Sequence, residues 1–307
     1  MLVICAKSGQ LGNRLLLFAN FIAFAIENNF TVFNPAFDEY AEFFQSTSRD
    51  ILCRYPVSKL PLPGNLALRR YYYKFTRDLV DSGKFNTIDI KRNQTFNWSN
   101  SHIKNELKPS GINFFQGWLF RDGWFVEDLA ILHKHRETIC SYFKPASKYQ
   151  LNVNKKIAKI RHSTDLLVGV HIRQGDYQNH QDGKYFYQTE YYVKIMKSIL
   201  DLFPNQTIKF LICSNQEQND SDFQYLSYCY GNNHLIEDMY ALAECDYIIG
   251  PPSSYSMWAS FYGDRPLYMI RDVNKSVTIE DFVHSYQWQG VFHYNDDWSK
   301  SFWEWTH

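Results

Sequence analysis

The apolar runs of this chain predict an α/β protein built on doubly wound parallel sheets. Three observations carry that prediction. Leu166, Leu167, Val168, Val170 and Ile172 form a branched run without polar alternation, as in a parallel strand covered on both faces. Further strand-like runs at 208–213, 247–250 and 266–270 alternate with helix-like stretches at 189–203, 238–245 and 254–262. The amino-terminal end starts the same way, with a strand at 2–6, a glycine-bearing turn and a long apolar helix.

Residues 14–28 are apolar nearly all round, which predicts a buried helix, and Asn28-Asn29 stops it before extended structure at 31–33. The turn ahead of it, Lys7-Ser8-Gly9-Gln10-Leu11-Gly12-Asn13-Arg14, can bring backbone N–H groups up to an anion or a sugar hydroxyl. A tight turn without a ligand fits the same pattern, and neither Walker A nor G-x-G-x-x-G spacing is present. Residues 35–110 are weakly patterned and punctuated by Pro56, Pro61, Pro63 and Gly64. Within them, Arg69-Arg70-Tyr71-Tyr72-Tyr73-Lys74 reads either as a groove for an anionic partner or as a solvated helix face. A strand and turn are expected at 113–118 and a helix at 125–143, ended by Lys144-Pro145. The lysine-rich stretch 144–165 predicts a connection with a short helix and a domain boundary near 155. Beyond the strand at 166–172, residues 220–229 read as loop and weak helix and 234–236 as a short strand. An aromatic tail with Trp288, Trp298, Trp303 and Trp305 predicts a closing helix.

The totals narrow the function. At 307 residues and 45% hydrophobic, the chain can fill one large core or two ordinary ones. Lys plus Arg and Asp plus Glu both count 32, so no global basic field draws in nucleic acid. The six cysteines form no C-x-x-C and sit mostly in apolar runs, which points to buried reduced thiols and away from zinc or a disulfide framework. Met1 to Cys5 runs straight into a strand, so no signal peptide is expected. The longest apolar run, residues 15–26, is shorter than the ~20 residues of a membrane span. The sequons at Asn97 and Asn205 carry little weight without a secretory signal.

Two stretches concentrate chemistry. In His171-Ile172-Arg173-Gln174-Gly175-Asp176-Tyr177 a buried strand breaks into a polar turn. His171 and Arg173 project to one side of it, and Arg presents the planar fork that reads phosphate. An ordinary surface arginine at a strand end fits the same residues. In Gly250-Pro251-Pro252-Ser253-Ser254-Tyr255-Ser256 a strand ends in a stiff turn, and serines open a helix. That is a neutral anion cradle or an N-cap, and one residue can serve as both. Asp238, at the head of a helix, suits a cap or an acceptor for a nucleobase edge. Asp220-Ser221-Asp222 has the D-x-D pattern of metal-dependent sugar transferases but lies in a hydrophilic loop, and His133 and His135 diverge on a helix, so metal chemistry is not favoured.

Together these stretches resemble the superfamily of α-1,2, α-1,6 and protein O-fucosyltransferases. Gly9-Gln10-Leu11-Gly12-Asn13-Arg14 resembles its G-x-x-G-N turn, and His171 to Tyr177 its H-x-R-R-G-D-Y signature. Asp238 through Trp258 resembles its third motif, and Phe115-Gln116-Gly117-Trp118-Leu119-Phe120 is similar to the G-Y-F-Q-S segment of the α-1,2 branch, glycosyltransferase family 11. The resemblance runs over roughly residues 1–270. It implies a GT-B-like fold of two facing doubly wound α/β domains with a cleft between them: an acceptor-side domain at 1–155, a GDP-sugar-binding domain at 156–285 and an aromatic closing segment at 286–307.

The implied reaction is inverting, metal-independent transfer of L-fucose from GDP-fucose to a glycan hydroxyl, α-1,2 to a galactose-type residue. Another nucleotide-sugar transferase, or an inactive nucleotide- or sugar-binding relative, is the alternative. By residue, the resemblance implies Arg173 on the β-phosphate, His171 near the guanine and Asp238 on the guanine edge. It places Ser253, Ser254, Tyr255 and Ser256 beside the diphosphate and Asn13 at the transfer site. Asp176 is then either a base or the group that orients Arg173. No cofactor is implied, and the expected location is cytoplasmic, with peripheral association at the inner membrane face allowed. Gln174 replaces the second arginine of the signature, Met257 a tryptophan and Tyr255 a phenylalanine.

Overall fold

The computed structural model describes residues 1–7, 9–90, 105–117 and 129–288. Expectations for Asn97, for residues 118–128 and for Trp298, Trp303 and Trp305 fall outside the described residues. The chain divides into two compact units, one formed by Met1–Ser147 and the other beginning at Lys148.

The first unit holds a parallel sheet of β1 (Leu2–Ile4), β2 (Val32–Phe33), β3 (Asn86–Ile90) and β4 (Asn113–Gly117), in the order β2-β1-β4-β3. Helix α1 (Leu11–Asn28) is buried along most of its length and ends where Asn29 turns left-handed at φ 55°. Phe18 anchors it, with edge-on contacts to Phe37, Tyr142 and Phe143 at 5.4–5.6 Å. The helix begins three residues before the predicted start, so Asn13 belongs to its first turn. Helix α2 (Leu66–Asp81) and β3 fall in the stretch that showed little pattern. The reason is an unusual helix face: α2 buries Arg69, Thr76 and Val80, so its core stripe does not read as hydrophobic. Arg69 is neither groove nor solvated face. It is 1% exposed and donates to the carbonyls of Thr47, Ser48 and Asp50 at 2.8–3.0 Å. The helix expected at 125–143 appears as α3 (Leu129–Lys134) and α4 (Arg136–Tyr142), separated where His135 leaves helical geometry.

In the second unit, α5 (Ser147–Arg161) is a full helix, not a short one, and buries Tyr149, Val153 and Ile160. The predicted boundary near 155 lies inside it. Five parallel strands follow: β5 (Leu166–Ile172), β6 (Ile208–Ser214), β7 (Tyr228–Tyr230), β8 (Tyr247–Gly250) and β9 (Leu267–Met269). Their order is β7-β6-β5-β8-β9. All seven residues of β5 are buried, and Val170 pairs with Ile212 on one side and Ile249 on the other. Helix α6 (Thr189–Leu202) closes one face of this core with Ile195, Met196 and Ile199. Each such side chain contributes about 1.5–3 kcal/mol of hydrophobic stabilisation.

The strand expected at 234–236 is instead the first turn of α7 (Leu235–Ala243), capped by His234, whose Nδ1 accepts from the backbone of Ile236 and Glu237. The strand of that region is β7, where a loop was expected; three residues are too few to show a period. Helix α8 (Ser254–Gly263) follows β8. The winding reverses between β5 and β8, and ligands of open parallel sheets bind at the carboxyl ends beside such a reversal. All six cysteines are free thiols. Among the described residues no helix is long and apolar enough to cross a membrane.

Candidate functional site

Strand β5 releases its last residues at that reversal. His171 is fully enclosed, its ring 4.8 Å from that of Tyr255. Burial, assisted by Arg173, pulls its imidazole down to about 3, so the ring is neutral. Gly250 makes the close approach possible, since a Cβ there would lie 3.2 Å from both His171 Cβ and Ser256 Oγ. Arg173 lies 14% exposed over the Tyr177 ring, and one of its terminal nitrogens is 2.7 Å from Asp176 Oδ2. The Asn215 amide donates to Asp176 Oδ1 at 3.2 Å, and its oxygen accepts from the Gln174 backbone at 2.9 Å. The Tyr177 hydroxyl donates to the Pro252 carbonyl at 2.8 Å. That bond ties the turn after β5 to the turn that opens α8.

A cavity of about 190 Å³ lies here. Its walls are His171 and Arg173 of the β5 end, Cys213, Ser214 and Asn215 of the β6 end, and Tyr255 of α8. Asn233, His234, Leu235 and Asp238, at the head of α7, complete it. It is smaller than the ~300–1,000 Å³ of drug-sized pockets. Asp238 accepts from the Asn232 backbone at 2.6 Å, and burial pushes its carboxyl up to about 6. Gly231 leaves room for it, because a Cβ there would overlap the carboxylate. The Tyr255 hydroxyl donates to the Leu235 carbonyl at 2.8 Å, which joins α8 to the head of α7.

Of the residues singled out in the sequence, His171, Arg173, Asp238 and Tyr255 line one cavity. Asp176 stands beside Arg173. Ser253 is the N-cap of α8 and accepts from Tyr255 N at 3.3 Å, while Ser256 is fully buried and donates to the Ser253 carbonyl at 3.1 Å. Ser254 opens the helix. None of these three serines lines the cavity. Asn13 belongs to the first unit and packs against Gly9, at φ +62°. Asp238 does not cap its helix; His234 does.

Gln174 points away from the cavity. Its amide donates to the Tyr187 carbonyl at 3.1 Å and accepts from Gln218 at 2.8 Å. Met257 and Trp258 are buried. In the D-x-D stretch, Asp220 accepts from the hydroxyls of Tyr228 and Tyr230, both at 2.9 Å. No group of three or more His, Cys, Asp or Glu side chains that could hold a metal ion occurs among the described residues. Asn215, Asn233 and His234 escaped the sequence reading. Ser214-Asn215 closes a buried strand just as Arg173 does, so the strand-end rule applied to β6 was the available signal.

Two parallel α/β units, the second with a polar crevice at its strand reversal, define a GT-B-like glycosyltransferase fold. Solved structures share it. A mutant of Arabidopsis thaliana FUT1 in complex with GDP superposes with TM-score 0.54 at 12% identity, over 92% of this chain and 73% of that one. Fucosyltransferase NodZ from Bradyrhizobium gives 0.55 at 13% identity, over 90% and 96%. POFUT1 in complex with GDP gives 0.52 at 12%, over 87% and 97%. No curated protein matches the sequence. The model of glycosyl transferase family 11 matches residues 79–291, and the chain belongs to that family.

Proposed function

We propose that this protein transfers L-fucose from GDP-fucose to a glycan hydroxyl with inversion and without a metal ion, α-1,2 to a galactose-type residue. The observation that carries the reading is the cavity that Arg173 and Asp238 both line, together with Tyr255 at the head of α8. Structures of FUT1 and POFUT1 with GDP, and of NodZ soaked with GDP-fucose, support the choice of nucleotide. The second unit binds the donor. A guanine enters the cavity, its N–H edge donating to Asp238 and its ring lying by the neutral His171 and Tyr255. Arg173 takes the diphosphate through its planar fork, and the α8 N-terminus at Ser253, Ser254 and Ser256 adds a favourable dipole.

Breaking the sugar–diphosphate bond builds negative charge on the leaving group, and preorganised donors such as Arg173 stabilise it. Asp176 already accepts from Arg173 and Asn215, so it acts as the support of Arg173 and not as the base. Asn13, on the first unit, serves the acceptor side.

The test is transfer from GDP-fucose to galactose-, GlcNAc- and rhamnose-terminated acceptors, with thermal shifts for GDP, UDP and dTDP. The expected result is stabilisation by GDP alone and transfer to the galactose acceptor. Stabilisation by UDP or dTDP instead of GDP overturns the donor assignment.

A further inference from the structure

Helix α2 turns its apolar side to solvent. Leu68, Tyr71 and Phe75 are 48, 69 and 48% exposed, and their three- and four-residue spacing sets them on one stripe. The buried residues Arg69, Thr76 and Val80 occupy a separate face, about a third of a turn round the helix. The loop ahead of the helix carries a further exposed apolar side chain, Leu60, at 77%. A continuous apolar stripe of this kind marks a surface that is covered in the working molecule.

The surrounding charge indicates by what. Between Pro56 and Lys84 stand six Lys or Arg and only two carboxylates, in a chain whose totals balance. Arg69 pairs with Glu42 and Arg77 with Asp81. Lys59, Arg70 and Lys74 are exposed. Arg70 and Lys74, one turn apart, flank the stripe on the Tyr71 side.

We propose that this face of α2, with the loop before it, docks on an anionic lipid bilayer. Leu60, Leu68 and Phe75 enter the boundary between headgroups and acyl chains, and Tyr71 keeps its hydroxyl wet at that level. Lys59, Arg70 and Lys74 meet the headgroups. The association is peripheral and reversible, weakens with salt, and does not depend on which sugar nucleotide the protein uses.

The test is flotation of the full chain with vesicles of phosphatidylcholine, alone or with about 30% phosphatidylglycerol. The protein is expected to float with the anionic vesicles and not with the neutral ones. Arg70→Glu combined with Lys74→Glu is expected to lower that partition about 25-fold or more, at about fivefold for each cation lost near the surface. Tyr71→Ser combined with Phe75→Ser is expected to lower it as well. Far-UV circular dichroism and melting temperature check that these surface variants remain folded. Equal flotation with both vesicle types, flotation with neither, or indifference to both variants overturns the proposal. So does a dimer seen by light scattering that Tyr71→Ser and Phe75→Ser dissolve without any vesicle binding, since the face then belongs to a second copy.

Discussion

Arg69 and Arg173 are both largely buried arginines, and they do opposite things. Arg69 turns its guanidinium onto three backbone carbonyls and Glu42 within the first unit. Arg173 meets a half-exposed carboxylate at the wall of a cavity. Fixed carbonyls hold an arginine as a strap. A carboxylate at a cavity edge holds it in place while leaving the site open to an anion of the same geometry.

The comparison breaks most sharply under paired substitution. Arg69→Ala orphans three carbonyls, two of them in buried contacts, and is expected to lower stability by roughly 3–5 kcal/mol, with transfer per folded molecule unchanged. Arg173→Ala is expected to cost ~10²–10³ in transfer rate, with the melting temperature barely moved. Denaturant titration and a GDP-fucose transfer assay on both variants check the pair, and a large rate loss in the Arg69 variant would erase the contrast.

Asp238 sharpens it as a cavity-lining carboxylate whose ionisation works against stability. Its folded carboxyl binds a proton more tightly than the unfolded one, so ionisation destabilises the fold above about pH 6, and that loss vanishes below about pH 4. Asp238→Asn is expected to raise stability by roughly 2–3 kcal/mol at pH 7 and by little at pH 4, while GDP binding weakens about tenfold. Melting curves against pH and calorimetric titration of GDP test both halves. The smallest effect is expected from Asn215→Ala, which removes an amide hydrogen bond to the Asp176 carboxylate. It should lower both the transfer rate and GDP affinity by about fivefold, because it lines the cavity and acts through Arg173, which is proposed to take the diphosphate.

Much of the second unit was legible from sequence. The runs at β5, β6 and β8 are long or strongly bounded, and parallel strands buried on both faces announce themselves by composition alone. Arg173, Asp238 and Tyr255 could be singled out because strand ends and helix heads are where such sheets place polar groups, and all three line one cavity. Gln174 read as a lost charge. Its environment shows a side chain closed into an amide network with Tyr187 and Gln218. The stretch 35–110 stayed dark because α2 buries an arginine and a threonine and exposes its apolar residues, which inverts the signal that periodicity relies on.

Sequence by itself determined the parallel α/β class, the strand that presents Arg173 and the family to which the chain belongs. These follow from local composition and from motif order, which need no knowledge of distance. Only the tertiary structure decided that Asn215 donates to the Asp176 carboxylate beside Arg173, that the Tyr177 hydroxyl reaches the Pro252 carbonyl, and that Arg69 is a strap while Arg173 lines a cavity. Those outcomes depend on which groups from distant segments arrive within hydrogen-bonding range, and that geometry is set by packing, not by spacing along the chain.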